Sequence, residues 1–367
     1  MNITWFIGNG FDSNLGLKTS YPDFRERVYL SDSFSSRLRD DLLKRINAAT
    51  LDEKLDDARL WSDLERLLGE VSKLYGQGEE DEFSATFEEM EKLLAQYVRD
   101  QELRIPDDIP EECIEEFRLS IGRFDYRMTI QDRRQFNLSE RAETISHRFV
   151  TLNYTRSLER FIERVASSNG VFMHHRAAGR EYSDIVAAPF HLHNSIDANG
   201  NIIDVVFGID SKEQLSNEQF AQDSLLTQCW VKGDRNTGLF GNDSENRLQE
   251  LIGDAEVICI YGCSMGETDG RIWRLIGDRL IRNASVKLVL FAYGLPDRHG
   301  SEHMRYQRER ETHKCKFLNA SCLKDTDTDA LDKRIYIVSS GDYFKFGDEL
   351  NLGDDGSDVS SSQLFSS

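Results

Sequence analysis

The chain begins with the stretch Ile-Thr-Trp-Phe-Ile-Gly-Asn-Gly-Phe-Asp at residues 3–12. A short apolar run that stops at Gly8 and Gly10 predicts a buried strand followed by a tight turn. Glycines in such a turn let backbone N–H groups approach a ligand closely, and a helix that begins there favours an anion. The full G-x-G-x-x-G spacing is missing, so a tight turn with Asp12 capping a helix explains the stretch equally well.

Further apolar runs predict that this strand belongs to a parallel sheet. They occupy residues 149–153, 257–261, 286–291 and 335–338, and shorter runs near His191 and at 202–207 suggest additional strands. Segments with helical patterns alternate with them, among them 157–165 and 271–281. Continuous apolar strands that alternate with helices are typical of an α/β fold whose parallel sheet is covered on both faces.

The charge-rich segment between the first two strands has a different pattern. Apolar residues recur at steps of three or four within 51–71 and 83–98, which predicts two amphipathic helices. We expect a helical insertion or cap at residues 25–145, inside an α/β domain made of residues 1–24 and 146–345. The two apolar stripes should pack on each other with Trp61 buried, and should partly cover the site.

The composition disfavours several classes of function and location. Among 367 residues, 45 are Lys or Arg and 65 are Asp or Glu, which gives a net charge of −20. Such a chain lacks the concentrated positive surface that non-specific nucleic-acid binding needs. It has no apolar run of about 18 residues and no leader-like N-terminus, so we expect a cytoplasmic protein without a membrane span. The end of the chain, residues 348–367, is expected to be disordered because it is rich in Ser, Asp and Gly.

Polar residues at the predicted strand ends are candidate site residues, because open parallel sheets bind ligands outside the carboxyl ends of their strands. Asn153 follows the second strand, where its amide either points into the crevice or caps the next helix. Gly262 and Ser264 follow the strand at 257–261 and suit a ribose or phosphate contact. The alternative for that loop is a structural turn in which Thr268 or Asp269 caps a helix.

The histidines offer one candidate base. His191 and His193 are two residues apart, so in a strand both would face the same side. No acidic or cysteine partner accompanies them at a metal-ligand spacing, and the six cysteines fit no zinc pattern. We therefore expect one catalytic and one structural histidine, reduced cysteines and no metal site. The cluster His174-His175-Arg176 is interpreted as a surface patch.

Several of these segments, in their order, resemble the bacterial AbiH abortive-infection family. They are the N-terminal string up to Phe24, Trp-Ser-Asp-Leu-Glu at 61–65, Leu-Asn-Tyr-Thr at 152–155, and residues 261–269. That family is in turn similar to the sirtuin-like proteins of bacterial antiphage defence. The resemblance implies a Rossmann-like, sirtuin-like parallel sheet that binds NAD.

The resemblance also implies roles for single residues. Asn153 and His193 would be catalytic, Asn153 beside the nicotinamide ribose and His193 as the base. The residues implied to contact NAD are Gly8, Asn9, Gly10, Asp12, Tyr154, Gly262, Ser264 and Asp269. The Phe207-Gly208 pair matches a Phe-Gly that follows the histidine in those proteins.

The chain departs from the sirtuin-like pattern at four positions. Thr155 stands where an Asp is usual, Asn194 stands where Gly follows the histidine, Cys263 replaces a frequent His or Tyr, and Asp12 replaces a small residue. It also lacks a four-cysteine zinc site, which disfavours deacetylase activity.

The favoured hypothesis is an antiphage effector that hydrolyses the nicotinamide–ribose bond and depletes NAD on infection. The departures at Thr155 and Asn194 favour an alternative, a non-catalytic sensor or regulatory subunit that binds a nucleotide. A third hypothesis places a nuclease or other activity in the helical block, the predicted insertion at residues 25–145. The expected partners are NAD or ADP-ribose, together with further copies of the chain or a partner defence protein.

Overall fold

The computed structural model describes residues 1–24, 64–136, 138, 141–166, 170–195, 206–235, 243–296, 302–323, 329–346 and 350. Several predicted features fall outside these residues: residues 51–63 of the first stripe with Trp61, residues 202–205, and the tail at 348–367 apart from residue 350. Residues 206 and 207, which end the apolar run expected to form a strand, are described and do not lie in one.

One sheet contains the eight strands of the described chain. They are β1 (Asn2–Ile7), β2 (Ser146–Thr151), β3 (Val171–Ala177), β4 (Arg180–Val186), β5 (Phe190–His191), β6 (Val257–Tyr261), β7 (Lys287–Ala292) and β8 (Ile335–Ser339). Their spatial order is β3-β4-β2-β1-β6-β7-β8, with β5 also paired to β2. Only the β3–β4 pair is antiparallel. The predicted α/β class with a mostly parallel sheet is therefore confirmed.

Outside β3–β5, helices alternate with the strands along the chain, as the apolar patterns predict. They are α1 (Gly10–Asn14), α2 (Leu64–Val71), α3 (Glu80–Glu102), α4 (Glu111–Gly122), α5 (Ile130–Phe136), α6 (Ser157–Val165), α7 (Glu218–Gln222), α8 (Ser224–Trp230), α9 (Asp243–Gly253), α10 (Gly270–Arg282), α11 (His303–Ala320) and α12 (Asp329–Asp332). None of these described helices is both long and apolar enough to cross a membrane.

The helical block contributes to two different cores. Helix α4 packs on one face of the sheet, where Phe117 contacts Phe161 in an apolar cluster that also contains Trp5. Helices α2 and α3 instead form a cluster with residues 207–231, including Trp230. The described part of the first stripe thus packs on the second, as predicted. A third cluster covers the other face of the sheet, with α9, α10 and α11.

The hairpin β3–β4 corrects the interpretation of His174-His175-Arg176 as a surface patch. Side chains alternate between the two faces of a strand, and His175 is buried while its neighbours are exposed. Its Nδ1 lies 2.9 Å from Asp184, and its Nε2 lies 2.9 Å from the carbonyl oxygen of Arg141. His175 therefore links the two strands of the hairpin and joins the hairpin to the segment that precedes β2.

Candidate functional site

The turns after β1 and β6 pack directly against each other. A Cβ atom on Gly10 would lie 2.5 Å from the Cα of Gly262, and one on Gly8 would lie 2.7 Å from the Gly262 carbonyl oxygen. Gly262 itself has a φ of +68°, which glycine adopts most readily. The N–H groups of Gly8 and Gly10 donate to the carbonyls of Tyr261 and Gly262. These two N–H groups are therefore bonded within the protein, and the glycines are explained by the close approach of the turns.

Asp12 does not cap a helix. Helix α1 begins at Gly10, and no side chain caps it. The buried Asp12 carboxylate accepts hydrogen bonds from the hydroxyls of Ser157 at 2.5 Å and Thr155 at 2.8 Å. A further bond comes from Thr19 at 3.3 Å, and the Thr19 hydroxyl also donates to Oδ1 of Asn9. Burial raises the pKa of Asp12 to about 6, although these hydroxyls and the Asn153 side chain oppose the shift.

Three departures from the sirtuin-like pattern have a structural explanation in this network and in the backbone. The Thr155 hydroxyl, after β2, donates to the Asp12 carboxylate, after β1. The departures at Thr155 and Asp12 are therefore the two partners of one contact. Asn194 has a φ of +58°, in the left-handed region that glycine favours and asparagine tolerates. Each replacement therefore fits its local geometry.

Nδ2 of Asn153 and Nδ1 of His193 are buried and meet no described residue at hydrogen-bond geometry, although the Asn153 amide lies close enough to Asp12 to lower the pKa of that carboxyl. Asn153 and His193 are 7 % and 6 % exposed. Helix α6 begins at Ser157 after Arg156, so Asn153 does not cap it. The ring of Tyr154 lies 6.4 Å from that of His193, which places the two segments side by side.

Asp269 orients the His193 ring. It holds the N-cap position of α10, but its side chain makes no capping bond. Instead Oδ1 of Asp269 lies 3.0 Å from Nε2 of His193. An ionised carboxylate only accepts hydrogen bonds, so Nε2 carries a proton and Nδ1 of the neutral ring is the free acceptor. A histidine held this way is suited to act as a base.

Lys232 and Glu65 extend this pair into a buried group of charges. The Lys232 ammonium donates to Oε2 of Glu65 and to Oδ1 of Asp269, each at 2.9 Å. The N–H of Gly208 also donates to Glu65, at 3.3 Å. We call Glu65, His193, Lys232 and Asp269 the charged cluster.

The pKa values within the charged cluster follow from burial and pairing. Burial raises the pKa of Glu65, although Lys232 opposes the shift. Burial opposes the charge of Lys232, but Asp269 and Glu65 outweigh it and hold the pKa of Lys232 above its usual value. Burial likewise opposes ionisation of Asp269, yet Lys232 and His193 hold its pKa below the usual range. Lys232 and Asp269 are therefore charged at neutral pH.

Sequence reasoning missed Glu65 and Lys232 as site residues. Glu65 ends the quoted segment Trp-Ser-Asp-Leu-Glu, so the family resemblance held a signal for it. Lys232 follows α8 in a segment without any motif. Of the predicted residues, Ser264 lies exposed on the loop after β6, and no contact of the described chain links it to the charged cluster.

His191 and His193 do not lie in one strand, so the expectation that they face the same side does not apply to them. Strand β5 ends at His191, and His193 lies beyond it. His191 contacts Glu159 through Nε2 and the carbonyl oxygen of Asn153 through Nδ1, so both of its ring nitrogens have partners. Within the described residues, no three His, Cys, Asp or Glu side chains are grouped so that they could hold a metal ion.

Comparison with known proteins identifies one family. The family model described as "Bacteriophage abortive infection AbiH" matches residues 5–291, a span that includes Asp12, the charged cluster and Asn153. No curated protein matches the chain. The match concerns that family alone, so the sirtuin-like resemblance stays a prediction.

Proposed function

Because this chain belongs to the AbiH family of bacteriophage abortive-infection proteins, we propose that it binds NAD and hydrolyses the nicotinamide–ribose bond. The site lies at the carboxyl ends of β1, β2, β5 and β6. The observation that carries the proposal is the buried Nδ1 of His193, which has no partner among the described residues, together with Nδ2 of Asn153, which no described residue meets at hydrogen-bond geometry.

Unpartnered buried polar atoms are costly, at about 1–3 kcal/mol each, so such atoms point to a ligand that satisfies them. One of the two is a donor and the other an acceptor. Ribose hydroxyls and water suit both, because a hydroxyl donates and accepts. An apolar ligand would leave both atoms without partners.

The strand order also supports a dinucleotide ligand. Strands β4 and β5 lie in succession along the same edge of β2. If they are counted as one strand, the parallel strands stand side by side in the chain order third, second, first, fourth, fifth and sixth. Doubly wound dinucleotide-binding sheets use this order and bind at the point where it reverses, between the first and fourth strands. Here that point lies between β1 and β6.

The chemistry requires few residues. A water molecule attacks C1′ of the ribose, the bond from C1′ to the nicotinamide nitrogen breaks, and its electron pair neutralises the pyridinium ring. The proton released by the water goes to Nδ1 of His193 and then to solvent. The Asn153 amide donates to a ribose hydroxyl or to the attacking water, which fixes its position.

The charge of the site suits a cationic transition state. Glu65, Asp269 and Asp12 are three carboxylates, and Lys232 is the single ammonium paired with two of them. When all three carboxylates are ionised, the buried negative charge exceeds the positive charge, which stabilises the oxocarbenium-like ribose that forms as nicotinamide leaves. The same excess disfavours an additional anion, so the pyrophosphate has to lie outside the charged cluster.

The test is release of nicotinamide from NAD⁺ by the purified protein. We expect release by the wild type and its loss in His193→Ala, with His174→Ala as the matched control because His174 is exposed on β3. The melting temperature with and without NAD⁺ is measured in parallel. A rise with NAD⁺ but no release would favour the sensor hypothesis, and neither effect would refute both.

A further inference from the structure

A line of buried polar contacts connects the helical block to His193. Glu65 on α2 contacts Lys232, Lys232 contacts Asp269, and Asp269 contacts His193, at 2.9, 2.9 and 3.0 Å. The Glu65 and Lys232 side chains are only 4 % and 6 % exposed. Their charges are therefore poorly screened by solvent.

Lys232 and His193 share one acceptor. Both donate to Oδ1 of Asp269. The carboxylate favours a protonated imidazole, whereas the neighbouring ammonium disfavours it. Glu65 offsets part of the ammonium charge, so it acts on the imidazole in the same direction as Asp269.

We propose that the Glu65–Lys232 pair is a positioning device that sets the pH at which His193 takes up its proton. The pH range in which the site is active then depends on Glu65 of α2, a helix that packs with α3 and α8. The consequence for catalysis rests on the proposed function, but the effect on the His193 ring does not.

Other groups near His193 do not provide this control. The phenols of Tyr154 and Tyr21 are neutral, because burial raises the pKa of both. Asp210 lies near Lys232 and Asp269 but is paired with Arg274 at 3.3 Å. The thiol of Cys263 also faces Asp269 and is neutral, because burial raises its pKa. Among the described residues, the titratable and charged groups that face the charged cluster are thus Tyr21 near α1, Glu65 on α2, Tyr154 after β2, Asp210 and Lys232 around α7 and α8, Cys263 after β6, and Asp269 and Arg274 at α10.

The proposal predicts shifts of opposite sign. Glu65→Gln removes a negative charge and leaves the ammonium less balanced, so the His193 ring should take up its proton at lower pH. Lys232→Met removes the positive charge, so the ring should take up its proton at higher pH. Charges at this distance in a poorly solvated site predict shifts of about one pH unit. The double variant should titrate between the two.

The experiment follows the histidine rings by NMR in protein labelled with ¹⁵N-histidine, between pH 5 and pH 9. His193→Ala identifies the His193 signal, and Glu250→Gln, in an exposed pair with Arg247, is the control. Opposite shifts in Glu65→Gln and Lys232→Met support the proposal. Shifts of the same sign, or no shift beyond that of the control, overturn it.

A test on one variant alone and a second measurement complete the experiment. Should Lys232→Met fail to fold, Glu65→Gln alone tests the sign, because a purely structural pair would lower the melting temperature without moving the titration. The acidic limb of the pH–rate profile for nicotinamide release is measured on the same variants. NMR shifts without any release would refute the proposed function alone, and release with an unmoved titration would refute the present proposal alone.

Discussion

The hydroxyl of Thr155 donates to Oδ2 of Asp12 at 2.8 Å, across 143 positions of the chain. This bond, with the one from Ser157, joins the turn after β1 to the start of α6. The hydrogen bonds to the Asp12 carboxylate come from side chains of the protein itself. Asp12 therefore ties two strand ends together, and its contact with NAD stays a prediction, as do those of Asn153 and His193.

Asp12 should make stability fall as the pH rises. Its folded pKa of about 6 lies above the unfolded value, so the folded state holds the proton more tightly, and the free energy of unfolding falls between about pH 4 and pH 6. The full effect is about 3 kcal/mol at most. Urea unfolding at pH 5, 6 and 7 should show wild type losing stability relative to Asp12→Asn. Asp108→Asn, at an exposed carboxylate, should run parallel to wild type, and a difference of opposite sign would contradict the prediction.

Gly10→Ala should destabilise the fold strongly. The new methyl group would lie 2.5 Å from a backbone atom of the opposite turn, which cannot move aside as a side chain can. We expect a loss of more than about 3 kcal/mol or failure to fold. Gly253→Ala is the control, because a Cβ atom there, at the end of α9, meets nothing within 4 Å. Equal melting temperatures for the two variants would show that the turns do not pack as described.

Asn153→Ala should abolish nicotinamide release without destabilising the protein. No described residue meets the amide nitrogen at hydrogen-bond geometry, and its interaction with Asp12 is secondary to the hydroxyls of Thr155 and Ser157, so its removal costs little. We expect a nearly unchanged melting temperature, and a loss in release of about 10²-fold or more. Ser264→Ala should raise KM and leave kcat unchanged. Normal release by Asn153→Ala would remove it from the catalytic role.

Phe83→Ala should destabilise the core that α2 and α3 share with α8. Phe83 is 1 % exposed, and its ring meets that of Trp230 edge-on at 4.6 Å. Removing a buried Phe side chain costs about 3–5 kcal/mol. Leu103→Ala, at a residue that is 72 % exposed, should be nearly neutral. Urea unfolding followed by tryptophan fluorescence compares the two, and similar midpoints would argue against this core.

Several structural features could be predicted from the sequence because they depend on local patterns. The apolar runs at 3–7, 257–261 and 335–338 predicted buried parallel strands, since a strand covered on both faces has no polar alternation. The strands' carboxyl ends then share one edge of the sheet, so the segments that follow β2 and β5 could be expected in one region, where the rings of Tyr154 and His193 lie 6.4 Å apart.

Only the tertiary structure decided which side chains pair at that edge. Glu65 and Lys232 are 167 positions apart, and nothing in the local sequence links them. They meet because α2 and the segment after α8 pack in the same apolar cluster. The role of Asp12 was decided in the same way, since a carboxylate in a turn looks the same in sequence whether a ligand or two hydroxyls satisfy it. Local patterns determine elements and their ends, whereas burial and pairing of polar groups depend on which elements pack together.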